Sequence, residues 1–76
     1  MQAQITEDFE IVSQEFVETH SQRSDGSPIQ YMVRVDKGYY IVVWDRFLRV
    51  YEISCPGFHG IAIKKDRIST IWKLPN

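Results

Sequence analysis

From Ile29 onward the chain alternates. Ile29, Tyr31, Val33 and Val35 interleave with Gln30, Met32, Arg34 and Asp36, the period-two pattern of a strand with one face on a core and one toward water. Lys37-Gly38 reads as a tight turn. Tyr39 to Trp44 is an unbroken run of β-branched and aromatic residues, which predicts a strand buried on both faces. Asp45-Arg46 marks a bend. Alternation resumes from Phe47 to Ile53, with Leu48 and Val50 directed to the core and Phe47, Arg49, Tyr51 and Ile53 opposite. Ser54 to Gly60 holds one Pro and two Gly and reads as a loop. Ile61 to Lys64 predicts a short strand. After a Lys65-Asp66 turn, Arg67 to Lys73 predicts a closing strand with Ile68, Thr70 and Trp72 opposite Ser69 and Ile71.

The N-terminal segment has a different period. Ile5, Phe9, Val12 and Phe16 are spaced four, three and four apart, one stripe of a 3.6-residue repeat. The spacing predicts a helix over 5–20, with Thr6 as N-cap and Glu7 and Asp8 favoured in its first turn. A strand with Phe9 and Ile11 alternating is the rival. It fails to accommodate Val12, Phe16 and Val17 on one face without a bulge. Residues 21–28, with Asp25-Gly26 and Pro28, form a linker turn.

One helix, then five short strands over 29–74, define a single α+β domain spanning 1–76. The expected architecture is a strongly bent antiparallel meander, an SH3-like or Sm-like small barrel, since closure removes exposed edges. At 76 residues the core is thin. The longest apolar run is six residues, far short of the roughly 20 a membrane span needs. The chain has no basic region followed by an apolar stretch at its start, and its one cysteine, Cys55, forms no internal disulfide. The expectation is a cytoplasmic protein.

The net charge of -1 hides an asymmetry. Glu7, Asp8, Glu10, Glu15 and Glu18 give the first twenty residues a charge of -5, with no Lys or Arg among them. The remainder carries nine basic against five acidic side chains, a balance of +4. Either the acidic segment packs on the basic body and screens it, or the two meet different partners. A third arrangement has the acidic helix imitating a phosphate backbone.

Candidate chemistry is sparse. Cys55 and His59 share a loop, but a thiol nucleophile needs a base and an orienting group behind it. With His20 they make three candidate metal ligands where a structural zinc site needs four. No glycine-rich phosphate loop is present. The chain is therefore expected to be non-enzymatic, with no cofactor and no metal.

The suggestive feature is an aromatic and basic cluster: Tyr39, Tyr40, Trp44, Arg46, Phe47, Arg49 and Tyr51. Tyr, Trp and Arg dominate protein-binding hot spots, and aromatics interleaved with Arg also suit single-stranded nucleic acid. Arg49 and Tyr51 share a predicted outward face, with Arg46 beside them. Lys64-Lys65 with Arg67 makes a second basic patch. These six, Arg46, Arg49, Tyr51, Lys64, Lys65 and Arg67, are the candidate partner-binding residues. The expected function is a small regulatory module, an adaptor or inhibitor of the phage or mobile-element type, that docks on a larger protein and modulates it.

The helix-then-five-strands order, with Trp44-Asp45-Arg46-Phe47 and Ile68-Ser69-Thr70-Ile71, resembles bacterial Sm-type barrels. That resemblance covers eight residues and implies an RNA-binding alternative, with Lys64-Lys65 standing where the family carries a basic RNA-contacting pair. Asp66 stands where the family has a His, and the spacing from Gly38 to Asp45 departs from its pattern. A homo-oligomer holding a small ligand between subunits is the third reading. Apolar surface left over by so thin a core predicts self-association or a constitutive complex.

Overall fold

Ser13 divides the N-terminal segment. A computed structural model of the protein describes residues 9–57 and 60–75. The expected helix positions 5–8 lie outside the described residues. Within them, Glu10–Val12 is a strand, β1, and Gln14–Thr19 a short helix, α1. The expected single helix over 5–20 is corrected to this pair. The physical cause is the side chain of Ser13, whose Oγ accepts a hydrogen bond from Phe16 N at 3.0 Å and caps the helix there. The residues before it are then free to pair as a strand. The rival strand is what Glu10–Val12 adopts, with Val12 toward the core, Ile11 exposed and Phe9 outside the strand.

Five further strands follow: β2 Gln30–Val35, β3 Gly38–Asp45, β4 Val50–Ile53, β5 Ala62–Ile63 and β6 Ile68–Lys73. A 3-10 turn, Lys65–Arg67, precedes β6. The strands form one antiparallel sheet in the order β1-β6-β2-β3-β4-β5. All five expected strands are present within a few residues of their expected bounds. The sheet is open rather than a closed barrel: β1 and β5 are its two edges. A bulge between β2 and β6 pairs Arg34 with Thr70 but Val35 with Ile68, leaving Ser69 as the extra residue. Ile68 and Ile71 consequently face the core together, while Thr70 and Trp72 face away.

Buried Val17, Tyr31, Val33, Val35, Val42, Trp44, Tyr51 and Ile71 make the core, with Val12, Phe16, Ile29, Ile53, Ile63 and Ile68 packed against it. Two expectations change here. β3 is fully buried on one face only: Val42 and Trp44 are buried, whereas on the opposite face Tyr39 is exposed and Ile41 and Val43 are half-buried. The faces of the fourth strand region are reversed: Tyr51 is wholly buried, its ring 4.8 Å from Trp44, and Leu48 is exposed.

A six-residue helix does not hold itself together in water. Three contacts hold α1 on the sheet. Val17 is 0% exposed. Tyr31 Oη donates to His20 O at 2.6 Å at the helix C-terminus. Tyr51 Oη donates to Gln14 Oε1 at 2.5 Å near its start. Phe16 stacks on His20 at 4.2 Å and stays half-buried. Burial pushes the Tyr31 and Tyr51 hydroxyls up. For Tyr51 the nearby Glu18 charge adds to the rise, and the Gln14 hydrogen bond opposes it.

Two outcomes follow for stability. Val17→Ala is expected to lower unfolding free energy by about 2 kcal/mol in urea melts, against a change within about 0.5 kcal/mol for Phe47→Ala on the surface. Because the folded protein holds the Tyr51 proton more tightly than the unfolded chain, Tyr51 favours folding below the ordinary tyrosine range. That contribution is lost as pH rises through and beyond it. Alkaline denaturation followed by circular dichroism is expected to be shallower in Tyr51→Phe.

Candidate functional site

The link between β3 and β4 is a rigid turn whose tip is apolar. Asp45 closes it three times. Its Oδ1 accepts from Phe47 N at 2.9 Å and Leu48 N at 3.0 Å, and its carbonyl accepts from Arg49 N at 2.7 Å. An aspartate at the start of a turn makes such bonds because its short carboxylate reaches backbone amides two and three residues on. Arg49 completes the turn in the left-handed region, φ 59°, a conformation that disfavours any side chain beyond Gly. Phe47 and Leu48 are thereby held out in solvent, 82% and 69% exposed. The Arg46 guanidinium lies 5.0 Å over the Phe47 ring, a geometry suited to cation–π attraction.

Glu18 of α1 links this turn to the 3-10 turn. Its Oε1 is 3.4 Å from Arg49 Nη2, and its Oε2 is 3.8 Å from Lys65 Nζ and accepts from Gln14 Nε2 at 2.9 Å. The Gln14 hydrogen bond, together with the positive charges of Arg49 and Lys65, holds the Glu18 carboxyl below the usual carboxylate range. A continuous chain of polar contacts therefore runs from the buried Tyr51 hydroxyl through Gln14 and Glu18 to Arg49 and Lys65 at the surface.

The structure brings Arg49 and Lys65 to a common partner and places Arg46 in the same turn as Arg49. It does not bring Arg67 there: Arg67 Nη2 pairs with Asp36 Oδ2 at 3.2 Å, beside the β2–β3 turn. Lys64 is exposed at the entrance to the 3-10 turn. Tyr51, expected outward beside Arg49, is a correction. It lies on the core face and reaches the site only through Gln14, because the β3–β4 turn occupies positions 46–49 and strand alternation starts at Val50. Of the acidic leader, Glu18 packs against the basic body, while Glu10 and Glu15 are exposed.

The period-two pattern predicts a strand at Phe47 and Leu48, whereas the structure sets both at the tip of the turn. The available signal is Asp45, the type of residue that nucleates a capped turn, set against a period-two pattern from Phe47 that favours a strand. Sequence places Glu18 in the acidic segment but does not tie it to Arg49 and Lys65, which are distant along the chain. His20 is occupied locally, its Nδ1 3.0 Å from Phe16 O. Cys55 is half-buried beyond β4, and His59 lies outside the described residues.

No family model, curated protein or solved structure matches the chain.

The Glu18 contacts sit at the surface and titrate. A lowered carboxyl pKa contributes stability above the ordinary carboxylate range, lost as pH falls through the folded-state value. The docking of α1 on the two turns is expected to loosen in that acidic window. Glu18→Gln is expected to flatten that part of the acid unfolding curve, and carboxyl chemical shifts by NMR would check the assignment to this side chain.

Proposed function

We propose that the chain is a small, cytoplasmic, non-enzymatic module that docks on a larger protein through the β3–β4 turn and modulates it as an adaptor or inhibitor. The observation that carries this reading is the pair Phe47 and Leu48, exposed on a turn pinned by Asp45 and flanked by Arg46 and Arg49. Large apolar side chains fixed in water bring no stability to the isolated fold. Fixed in advance, they lose little conformational freedom when they enter a pocket. Arginine beside an aromatic ring is a frequent hot-spot composition. The partner surface this fits is an apolar pocket with carboxylates on its rim.

Arg49 supports the same reading by its backbone. A left-handed residue in a four-residue turn suits Gly, yet this position carries a long cation. Its side chain is used, on Glu18 within the molecule and, in this proposal, on the partner's rim. The Sm-like RNA-binding reading ranks second. Lys65 and Arg67, which with Lys64 form the basic patch it needs, already face Glu18 and Asp36, and the chain carries a net charge of -1, whereas phosphate binding depends on surplus cations.

The test is a side-by-side capture from host lysate with wild type and a Phe47→Ala/Leu48→Ala variant, followed by calorimetry on the purified partner. Each single substitution is expected to weaken binding by about 2 kcal/mol, roughly 30-fold. Arg49→Gly is expected to weaken binding while changing stability by less than about 1 kcal/mol, because relief of the left-handed strain offsets the lost ion pair. A partner bound equally by the double variant overturns the proposal. Co-purifying nucleic acid released by salt, with no protein, supports RNA instead.

A further inference from the structure

A recess at the C-terminal end of α1 has a charged lining of one sign. Its apolar lining comes from three parts of the chain. Phe16 and His20 bring stacked rings, 4.2 Å apart and within 7° of parallel. Ile29 and Tyr31 come from β2 and the residue before it, and Leu74 from the end of β6. Arg23 of the linker and Lys73 of β6 supply the charges, and among the described residues no carboxylate lines the space. The recess between β1 and the 3-10 turn differs, since Lys65 and Asp66 give it both signs. The cationic recess measures about 240 Å³. A cavity of roughly 150 Å³ holds benzene, so this one has room for a ring or a short chain with a polar head.

The lining is held before any ligand arrives. Tyr31 is fixed by its hydroxyl on His20 O, and the His20 ring by Nδ1, 3.0 Å from Phe16 O. These contacts also occupy carbonyls at the helix end that would otherwise repel an anion: Phe16 O accepts from His20 N at 2.9 Å, and His20 O accepts from Tyr31 Oη at 2.6 Å. The cations are uncommitted by comparison. Ion pairs among the described residues use Arg49, Lys65 and Arg67, not Arg23 or Lys73. Asp25, near Arg23 in the linker, accepts instead from Ser27 N and Oγ. Glu10 stands opposite Lys73 in strand register but is exposed, and no ion pair joins the two.

We infer that this recess binds a small amphipathic carboxylate, an aromatic or short aliphatic acid. The carboxylate meets Arg23 and Lys73, and the apolar body lies among Phe16, Ile29, Tyr31 and Leu74. A few polar groups converging on a preformed, mostly apolar concavity are the ordinary composition of a small-molecule site. Hydrogen bonds to an ionised acceptor are the strong ones available to these two side chains. The inference stands apart from the docking role of the β3–β4 turn, since the recess shares no residue with that turn.

Titration of the full chain with phenylacetate, followed by amide and His20 ring chemical shifts in NMR, tests it. A ligand of about ten non-hydrogen atoms is expected to saturate with a dissociation constant of about 1 mM, with the largest shifts at Phe16, His20, Arg23, Tyr31 and Lys73. Phenylacetamide keeps the shape and removes the charge, and is expected to bind about tenfold more weakly. Acetate keeps the charge and removes the ring, and is expected to give no saturable shift at those residues. Arg23→Gln and Lys73→Gln are each expected to weaken phenylacetate about fivefold with circular dichroism unchanged. If either variant fails to fold, the comparison of acid with amide on the wild-type chain decides. Equal binding of acid and amide overturns the inference. So does binding indifferent to both substitutions, or the absence of saturable shifts in the recess at about 20 mM phenylacetate.

Discussion

Two tyrosine hydroxyls hold a helix too short to hold itself. Tyr31 and Tyr51 stand on β2 and β4, separated by β3, and each sends its hydroxyl to one end of α1, to His20 O and Gln14 Oε1. Val17 fills the space between sheet and helix. A buried phenol without a partner would carry a desolvation penalty of about 1–3 kcal/mol, so the helix satisfies the tyrosines as much as they position it. Everything on the surface near α1 inherits this arrangement. Gln14 is placed by Tyr51, Glu18 by Gln14, and Arg49 and Lys65 converge on Glu18.

That dependence explains why an exposed, salt-screened cluster has a defined geometry. Ion pairs at the surface contribute little by themselves. Glu18 meets its cations here because a buried hydrogen bond has already fixed the helix beneath it. The Asp45 contacts do the same for the tip of the β3–β4 turn, using backbone amides instead of charge. Phe47 and Leu48 are therefore presented by two independent local devices, a carboxylate-capped turn and an anchored helix, joined through Arg49.

The two apolar surfaces differ in kind. The β3–β4 tip is small, protruding and basic, the shape of a probe entering a pocket. The band on the outer sheet face, from Ile11 through Trp72 and Met32 to Ile41, is broad and lies in the plane of the sheet. A chain of this size has too little interior to bury all its large side chains. In this fold much of the surplus falls at the tip, in Phe47 and Leu48, and on the outer sheet face, in Ile11 and Tyr39, with Tyr40 and Ile61 exposed elsewhere.

Local sequence determined the five strands from Gln30 to Lys73, because period-two alternation and Gly, Pro and Asp punctuation act within a few residues. It determined the linker as well: Asp25 accepts from Ser27 N and Oγ, and Gly26 adopts φ 88°. It also marked Arg46, Arg49 and Lys65 as surface cations. Tertiary structure alone decided the remainder. β1 is a strand because β6 offers an edge to pair with, and three residues form no strand without one. Both sides of the fourth strand region carry apolar residues, Leu48 and Val50 against Tyr51 and Ile53, so alternation gives two faces without saying which is inward. The answer came from Trp44 and Gln14, which receive Tyr51. The bulge at Ser69 turned Ile68 and Ile71 to the same side. The sheet stayed open because its edges are β1 and β5, an outcome of strand order that no local pattern records. Glu18 joined Arg49 to Lys65 for the same reason: contacts between residues distant along the chain exist only once the core beneath them has formed.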